Sequence, residues 1–421
     1  QDAIAWIELA RLIQLNQISL ETQYQALKNW NNDWPYHPAA TSPPHELSIL
    51  KELPETRPTS ITLALPLSGP IAGAGKAIRD GFMASYYQQS NALLNSNSQG
   101  TNRELEFDKS FDIHFFDTHT NNIEDLYLSA ETENSLIIGP LDKKSLNTLS
   151  LLDKFHTKTL ALNYLEVTDT PHDNLFQFGL SPETETTQLA KHLTNKNLYK
   201  IGVIAPETNW GFRVHDAFQS ALIQENGTLI ESSFYQDQAS LSSTVAKLLD
   251  TSESKQRKRK IQSIVGTNIE FLPRRREDID AIFMIAKPEI AKQLKPLFSY
   301  HYARKLPIFA TSQVHNQQSD IRNSDLDNIE FIEIPWMLSN TIGIKNELNR
   351  LIPESNDKYS RFYALGVDAF KLAPRLKLLK EIKDSQIQGQ TGILSMNTNG
   401  VITRKMEWAK FKNGKAISIK E

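Results

Sequence analysis

From Thr59 onward the sequence alternates short apolar, β-rich runs with amphipathic helical stretches, and few folds accommodate that alternation. The first series comprises Ile61 to Leu65, Ile113 to Phe116, Leu136 to Pro140, Thr159 to Leu162 and Leu175 to Phe178. A second comprises Ile201 to Ala205, Leu229-Ile230, Ala281 to Ile285 and Ile308 to Ala310. Strands separated by helices of this length are βαβ units with right-handed crossovers, which build parallel sheets. Two such series predict an α/β fold of two doubly wound parallel-sheet lobes. Ligands of such sheets sit beyond the carboxyl ends of the strands. The turns to watch are therefore 67–75, 117–120, 139–145 and 163–167 in the first lobe, and 206–211 and 311–315 in the second.

The region before Thr59 follows another rule. Trp6, Leu9, Ala10 and Ile13 recur at helical spacing, and Leu20, Tyr24 and Leu27 do so again after a polar break at Asn16 to Ser19. Two helices alone bury little, so they read as the end of a helical array. Between Trp34 and Pro58 stand Pro35, Pro38, Pro43, Pro44, Pro54 and Pro58. That density of fixed φ angles and missing donors predicts a stiff linker. The expected division is 1–58 for helices and linker, 59–180 with 316–399 for lobe one, and 181–315 with 400–421 for lobe two. The chain would cross between lobes near 178–181, 313–323 and 398–400.

Bulk composition excludes several function classes. With 46 basic against 49 acidic residues the net charge is −3, so no global field favours nucleic acid. No run of about 18 apolar residues exists to span a membrane as a helix. The chain has no cysteine, which removes thiolate catalysis and Cys-ligated zinc. Pro70 to Ala77 comes near a phosphate-binding loop, but a proline replaces its first glycine and Ala77 its magnesium-binding hydroxyl. No nucleophile elbow or His-Glu-x-x-His helix occurs, and His301 and His315 have no matching carboxylate pattern. Neither catalytic residues, a metal nor a cofactor is expected.

The strongest local charge feature is Lys255, Arg257, Lys258, Arg259 and Lys260, joined by Arg274, Arg275 and Arg276. A solvated helix or loop face accounts for such a run in most proteins. Interspersed acids at Glu270, Glu277, Asp278 and Asp280, with Phe271 as the one aromatic, argue against nucleic acid. An acidic protein surface or an anionic glycan is the functional alternative.

The order of these motifs resembles the type I periplasmic binding protein superfamily. The likeness rests on Leu67-Ser68-Gly69-Pro70 followed by Gly75 and Arg79-Asp80-Gly81-Phe82, on Leu136 to Pro140, on Tyr199 to Ala205, on Asn209-Trp210-Gly211, and on Ser395 to Gly400. It implies a ligand cleft with Ser68, Asn163, Trp210 and Ser312 as candidates. Amino-acid receptors of this kind use small hydroxyl residues after the third strand and an acid in lobe two. Here those positions read Leu141-Asp142-Lys143-Lys144-Ser145 and Ser312-Gln313-Val314, so an amino-acid ammonium would lack its counter-charge.

Within the superfamily the chain is most similar to the outer-membrane lipoprotein activators of class A penicillin-binding proteins. The shared features are a helical segment and proline-rich stretch before the fold, the missing amino-acid anchors, and a lobe-two insertion, 249–278, that carries the basic cluster. The resemblance implies a tetratricopeptide-like helical domain and a lipidated cysteine preceding Gln1. It also implies a periplasmic location at the inner leaflet of the outer membrane, with membrane contact only through that anchor. The partner would be a peptidoglycan synthase, with peptidoglycan as a second candidate, and the action non-enzymatic stimulation of transpeptidation. The alternative is a receptor closing on a small solute.

Overall fold

The structure, a computed structural model, describes residues 2–15, 20–97, 112–129, 135–151, 155–165, 173–267, 270–271, 274–316, 321–339, 341–356 and 358–419. The polar break expected at Asn16 to Ser19 lies outside them. The chain divides into two compact units, residues 1–180 with 339–405 and residues 181–338 with 406–421.

The first unit opens with α1 (Asp2–Leu15), α2 (Leu20–Asp33), α3 (Pro38–Thr41) and α4 (His45–Thr56). These share one core of Ala5, Leu9, Leu27, Trp30, Ala39, Leu47, Ile49 and Leu50, which also takes in Leu378. Trp30 ties α2 to α1 by donating its indole N–H to the Ala5 carbonyl at 3.1 Å. The linker expected over 34–58 is thus two further packed helices. Proline density misled because Pro38 takes the first helical position of α3 and Pro44 caps α4. At a helix start the missing N–H would have had no helical partner anyway.

The first sheet follows as β1 (Ser60–Leu65), α5 (Ala72–Asn97), β2 (Asp112–Asp117), α6 (Ile123–Ser129), β3 (Ser135–Ile138), α7 (Lys143–Ser150), β4 (Lys158–Ala161) and β5 (Leu175–Gln177). Its order is β2-β1-β3-β4-β5, and every pairing is parallel. Ile61, Leu63, Leu65 and Ile138 enter one core, while Ala64 and Ile137 enter another. Burial on both faces is why these strands read as near-continuous apolar runs.

The second unit holds α8 (Pro182–Asn195), β6 (Lys200–Pro206), α9 (Asn209–Gln224), β7 (Thr228–Tyr235), α10 (Leu241–Leu248), α11 (Thr251–Val265), β8 (Ala281–Met284), α12 (Pro288–Tyr300), β9 (Ile308–Ala310), β10 (Ile329–Glu333) and α13 (Pro335–Leu338). The chain then returns to the first unit for α14 (Gly343–Leu351), α15 (Ser360–Leu372), α16 (Leu376–Glu381) and an antiparallel trio, β11 (Ile387–Gln388), β12 (Ile393–Met396) and β13 (Ile402–Lys405). It ends in the second unit with β14 (Glu407–Lys412) and β15 (Lys415–Ile419). The second sheet runs β15-β14-β10-β9-β8-β6-β7, parallel from β7 to β10 and antiparallel at β14 and β15.

Two crossings differ from expectation. Residues 316–338 are expected in lobe one, yet β10 pairs with β9 and so belongs to the second unit. Residues 400–405 are expected in lobe two, yet β13 pairs with β12 and belongs to the first. The crossings fall at 338–339 and 405–406 instead. In the first unit α15 lies against α5 closely enough that a Cβ on Gly366 would come within 2.0 Å of the Ile78 carbonyl oxygen. That contact requires glycine.

One cross-strand cluster of the second sheet carries a pH signature. Glu330 on β10 faces Lys410 on β14. His192 at 3.7 Å, Lys196 at 2.5 Å and Lys410 at 3.6 Å hold its carboxyl down to about 2, against the burial that would raise it. Because the folded value lies below the ordinary 4.5, this contribution to stability is complete above pH 4.5. It is lost as the pH falls toward about 2. Melting temperature measured across that range should fall less steeply in Glu330→Gln than in the parent; parallel curves would remove Glu330 as the source.

Candidate functional site

The turns of the first sheet bind one another. Asp117, at the end of β2, accepts the Leu67 amide at 2.9 Å and the His119 amide at 3.0 Å, which fixes the turn carrying half-buried Ser68. Gly69, at φ +76°, lies under the His119 ring, where a Cβ would meet Nε2 at 2.5 Å. After β4, Asn163 donates to the Leu141 carbonyl at 2.8 Å and accepts the Tyr164 amide at 2.9 Å. The Tyr164 hydroxyl lies 3.2 Å from the carbonyls of both Gly179 and Ile402. Asn163 is therefore a brace between turns. Residues 166 and 167 of that turn lie outside the described residues.

In the second unit Trp210 stands half-exposed in the first turn of α9, a helix started by Thr208, whose hydroxyl accepts the Gly211 amide at 3.2 Å. Ser312 is buried. Its hydroxyl donates to Glu185 at 2.7 Å and its amide to the other carboxylate oxygen at 2.8 Å. Glu333, fully buried, accepts His315 Nδ1 at 2.7 Å and the Ile334 amide at 2.9 Å. Sequence reasoning missed both carboxylates. Nothing in the first turn of α8 or the last residue of β10 announces burial, which depends on residues 127 and 18 positions away.

One arrangement has the residue types of a hydrolytic triad. His215 lies 2.8 Å from Asp216 and 2.8 Å from the Ser232 hydroxyl. Asp216, however, has 73% of its side chain exposed, and Ser232 sits mid-strand opposite Val203. A serine nucleophile needs an oriented, dry imidazole and a pair of amides for the oxyanion, as a turn or helix start supplies. Among the described residues no group of three or more His, Cys, Asp or Glu could hold a metal.

The basic segment forms a projecting helix. α11 keeps Thr251 and Ser254 buried, anchored by Thr251 Oγ1 to His301 Nδ1 at 2.9 Å and by Ser254 Oγ accepting the Arg274 amide at 3.3 Å. The eight cations are not equivalent. Arg257 pairs with Asp250 at 3.2 Å and Glu253 at 3.6 Å, and Lys258 lies 5.6 Å from the centre of the Phe271 ring. Arg276 forks onto Asp278 at 2.8 and 2.9 Å, which raises the guanidinium pKa, and its neighbour Arg275 donates to the Arg276 carbonyl at 2.7 Å. Arg259, Lys260 and Arg274 are exposed, and none pairs with an acid among the described residues. Lys255 lies on the same helix. Past the cations, Ile261, Ile264 and Val265 are 51%, 76% and 56% exposed, leaving an apolar tip on a basic helix.

A profile of the family described as "LppC putative lipoprotein" matches residues 2–414. The chain belongs to the LppC family. It is 28% identical over 414 residues to "Penicillin-binding protein activator LpoA" of Vibrio antiquarius, covering 96% of this chain and 66% of that relative. The corresponding protein of Photobacterium profundum is 28% identical over 409 residues, with 64% of its length covered. This LppC chain thus spans slightly under two thirds of those relatives. Its fold matches the crystal structure of full-length LpoA from Haemophilus influenzae, with a TM-score of 0.66 at 22% identity over 99% of this chain and 69% of that one. The C-domain of the same protein, described as a regulator of PBP1A, matches with a TM-score of 0.63 at 22% identity over 86% of this chain and 99% of that one. Among the described residues of this LppC member, no helix is long and apolar enough to cross a membrane.

Proposed function

We propose that this LppC chain is the regulatory part of a periplasmic lipoprotein that docks on a class A penicillin-binding protein and stimulates its transpeptidation. It acts by binding and catalyses nothing. In the whole protein a lipid anchor holds it at the inner leaflet of the outer membrane, and α1 to α4 end a tetratricopeptide-like helical domain. The alignment of 96% of the chain with penicillin-binding protein activators carries this reading. Two structural observations support it. Ser312 and Asn163, candidates for holding a solute, already commit their polar groups internally, which disfavours the solute-receptor alternative. α11, by contrast, presents uncommitted cations beside exposed apolar residues, the mixture that suits an acidic protein surface.

The test is direct. Added to the purified synthase of its own organism, the protein is expected to bind and to raise the fraction of cross-linked peptides formed from a lipid-linked murein precursor. No binding together with an unchanged cross-linking rate rejects the proposal.

A further inference from the structure

At the amino ends of β9 and β10, the edge of the second sheet opposite its strand-end turns, lies a cavity of about 290 Å³. Its charged lining is lopsided: Lys295 from α12, Arg304 and Lys305 from the turn before β9 and Lys410 from β14, against Glu330 alone. Glu330 already serves Lys196, Lys410 and His192. Lys295, Arg304 and Lys305 make no ion pair and no side-chain hydrogen bond among the described residues. Arg304 and Lys305 are exposed, as unpaired cations usually are. Lys295 is not. It is half-buried, and burial, then the like charge of Lys410, pull its pKa down. Its ammonium therefore destabilises the free fold, and an aliphatic side chain would fill the position without that desolvation or repulsion. A recess lined by one sign of charge does, however, concentrate ions of the opposite sign.

Charge, size and shape set the ligand class. Four cations against one carboxylate leave three positive charges to neutralise. A phosphomonoester brings about −1.5 to −2 at neutral pH and falls short, whereas a second phosphoryl group raises this to about −3. The volume admits about ten heavy atoms if each takes the ~30 Å³ of a water-sized group, which is the size of a diphosphate. The cations come from two elements and a turn, so the ligand has to offer oxygens in several directions. A tetrahedral phosphoryl group does so, while a carboxylate offers two in one plane, and ammonium groups bind phosphate as point charges. We propose that this cavity binds a diphosphate group, free or esterified, with its oxygens on Lys295, Arg304, Lys305 and Lys410. It shares no residue with α11 or with the strand-end turns, so its failure leaves the regulatory reading untouched.

The experiment is isothermal titration of the whole chain, at fixed ionic strength and without divalent cations, with inorganic diphosphate, orthophosphate and citrate. Diphosphate is expected to bind one to one and about tenfold or more tighter than the other two, the difference that one charge-assisted hydrogen bond makes. Adenosine diphosphate and geranyl diphosphate, the latter below its micellar concentration, distinguish the sources: whichever of the three diphosphates binds tightest names a nucleotide, a lipid or the free ion. Lys295→Met should weaken diphosphate binding about tenfold or more while the melting temperature of the free protein stays the same or rises, because the buried charge and its repulsion from Lys410 are gone. Ser299, exposed on α12 and lining the cavity, gives an independent check. Ser299→Glu adds a carboxylate that occupies the cations and should abolish binding while the circular dichroism stays unchanged. Citrate binding as tightly as diphosphate, no one-to-one binding of diphosphate, or parent affinity in either folded variant would each overturn the proposal.

Discussion

Asp368→Ala is expected to destabilise the first unit by about 3–5 kcal/mol, the cost typical of breaking a buried charge network. Asp368 lies on α15 with no exposed surface and accepts the Gln390 amide at 2.6 Å, the Thr391 amide at 2.7 Å and the Thr391 hydroxyl at 2.7 Å. A loop joining β11 to β12 is thereby wrapped around one carboxylate. Gly389 approaches so closely that a Cβ there would sit 2.6 Å from the carboxylate oxygen. Burial pushes the Asp368 carboxyl up, and burial likewise pulls nearby Lys371 down to about 8. Alanine would leave three donors unsatisfied in the interior. Asp368→Asn keeps the shape, and its one remaining oxygen still accepts, so a smaller loss is expected. Urea unfolding gives the magnitude, and amide exchange should show 387–396 opening first. A loss below about 1 kcal/mol would mean that the loop finds other partners.

Reversing Arg259, Lys260 and Arg274 together to Glu should slow association with the synthase about tenfold or more at low ionic strength and abolish its salt dependence. The melting temperature should stay within about two degrees of the parent, because exposed, unpaired side chains contribute little to folding. The structure narrows the choice of residues. Arg274, Arg275 and Arg276 look alike in sequence, yet the Arg276 guanidinium is forked onto Asp278, and its amide donates to the Leu249 carbonyl at 2.9 Å. Arg276→Glu would set like charges against Asp278 and Glu231 and loosen the base of the insertion. It therefore reports on stability and is not a clean probe of docking. Stopped-flow association of the triple variant at several salt concentrations separates the two, and unchanged kinetics would return α11 to an ordinary solvated face.

Much of the architecture was legible because it rests on local chemistry. The strands β1, β3 to β6, β8 and β9 declare themselves as apolar runs between helical stretches, since burial on both faces demands side chains that the sequence itself displays. The helices α1 and α2 show in the spacing of Trp6, Leu9, Leu20 and Leu27. Misreadings came where position mattered more than composition. Pro38 and Pro44 look like linker residues until each is seen at a helix start. Residues 329–333 mix apolar and acidic side chains, which suits several environments, and only pairing with β9 and β14 decides that this strand belongs to the second sheet.

The candidate site divides along the same line. Residue type and order alone established that the turns carry no familiar catalytic motif and that one segment of the second unit concentrates positive charge. Which hydroxyls, carboxylates and cations remain available depended on neighbours distant along the chain: Ser312 on Glu185, Glu333 on His315, and Arg276 on Glu231. Apolar periodicity is written in consecutive residues and can be read there. Hydrogen-bond and charge partners are created by tertiary packing, so only the folded chain decides whether a polar group is committed or left to meet a ligand.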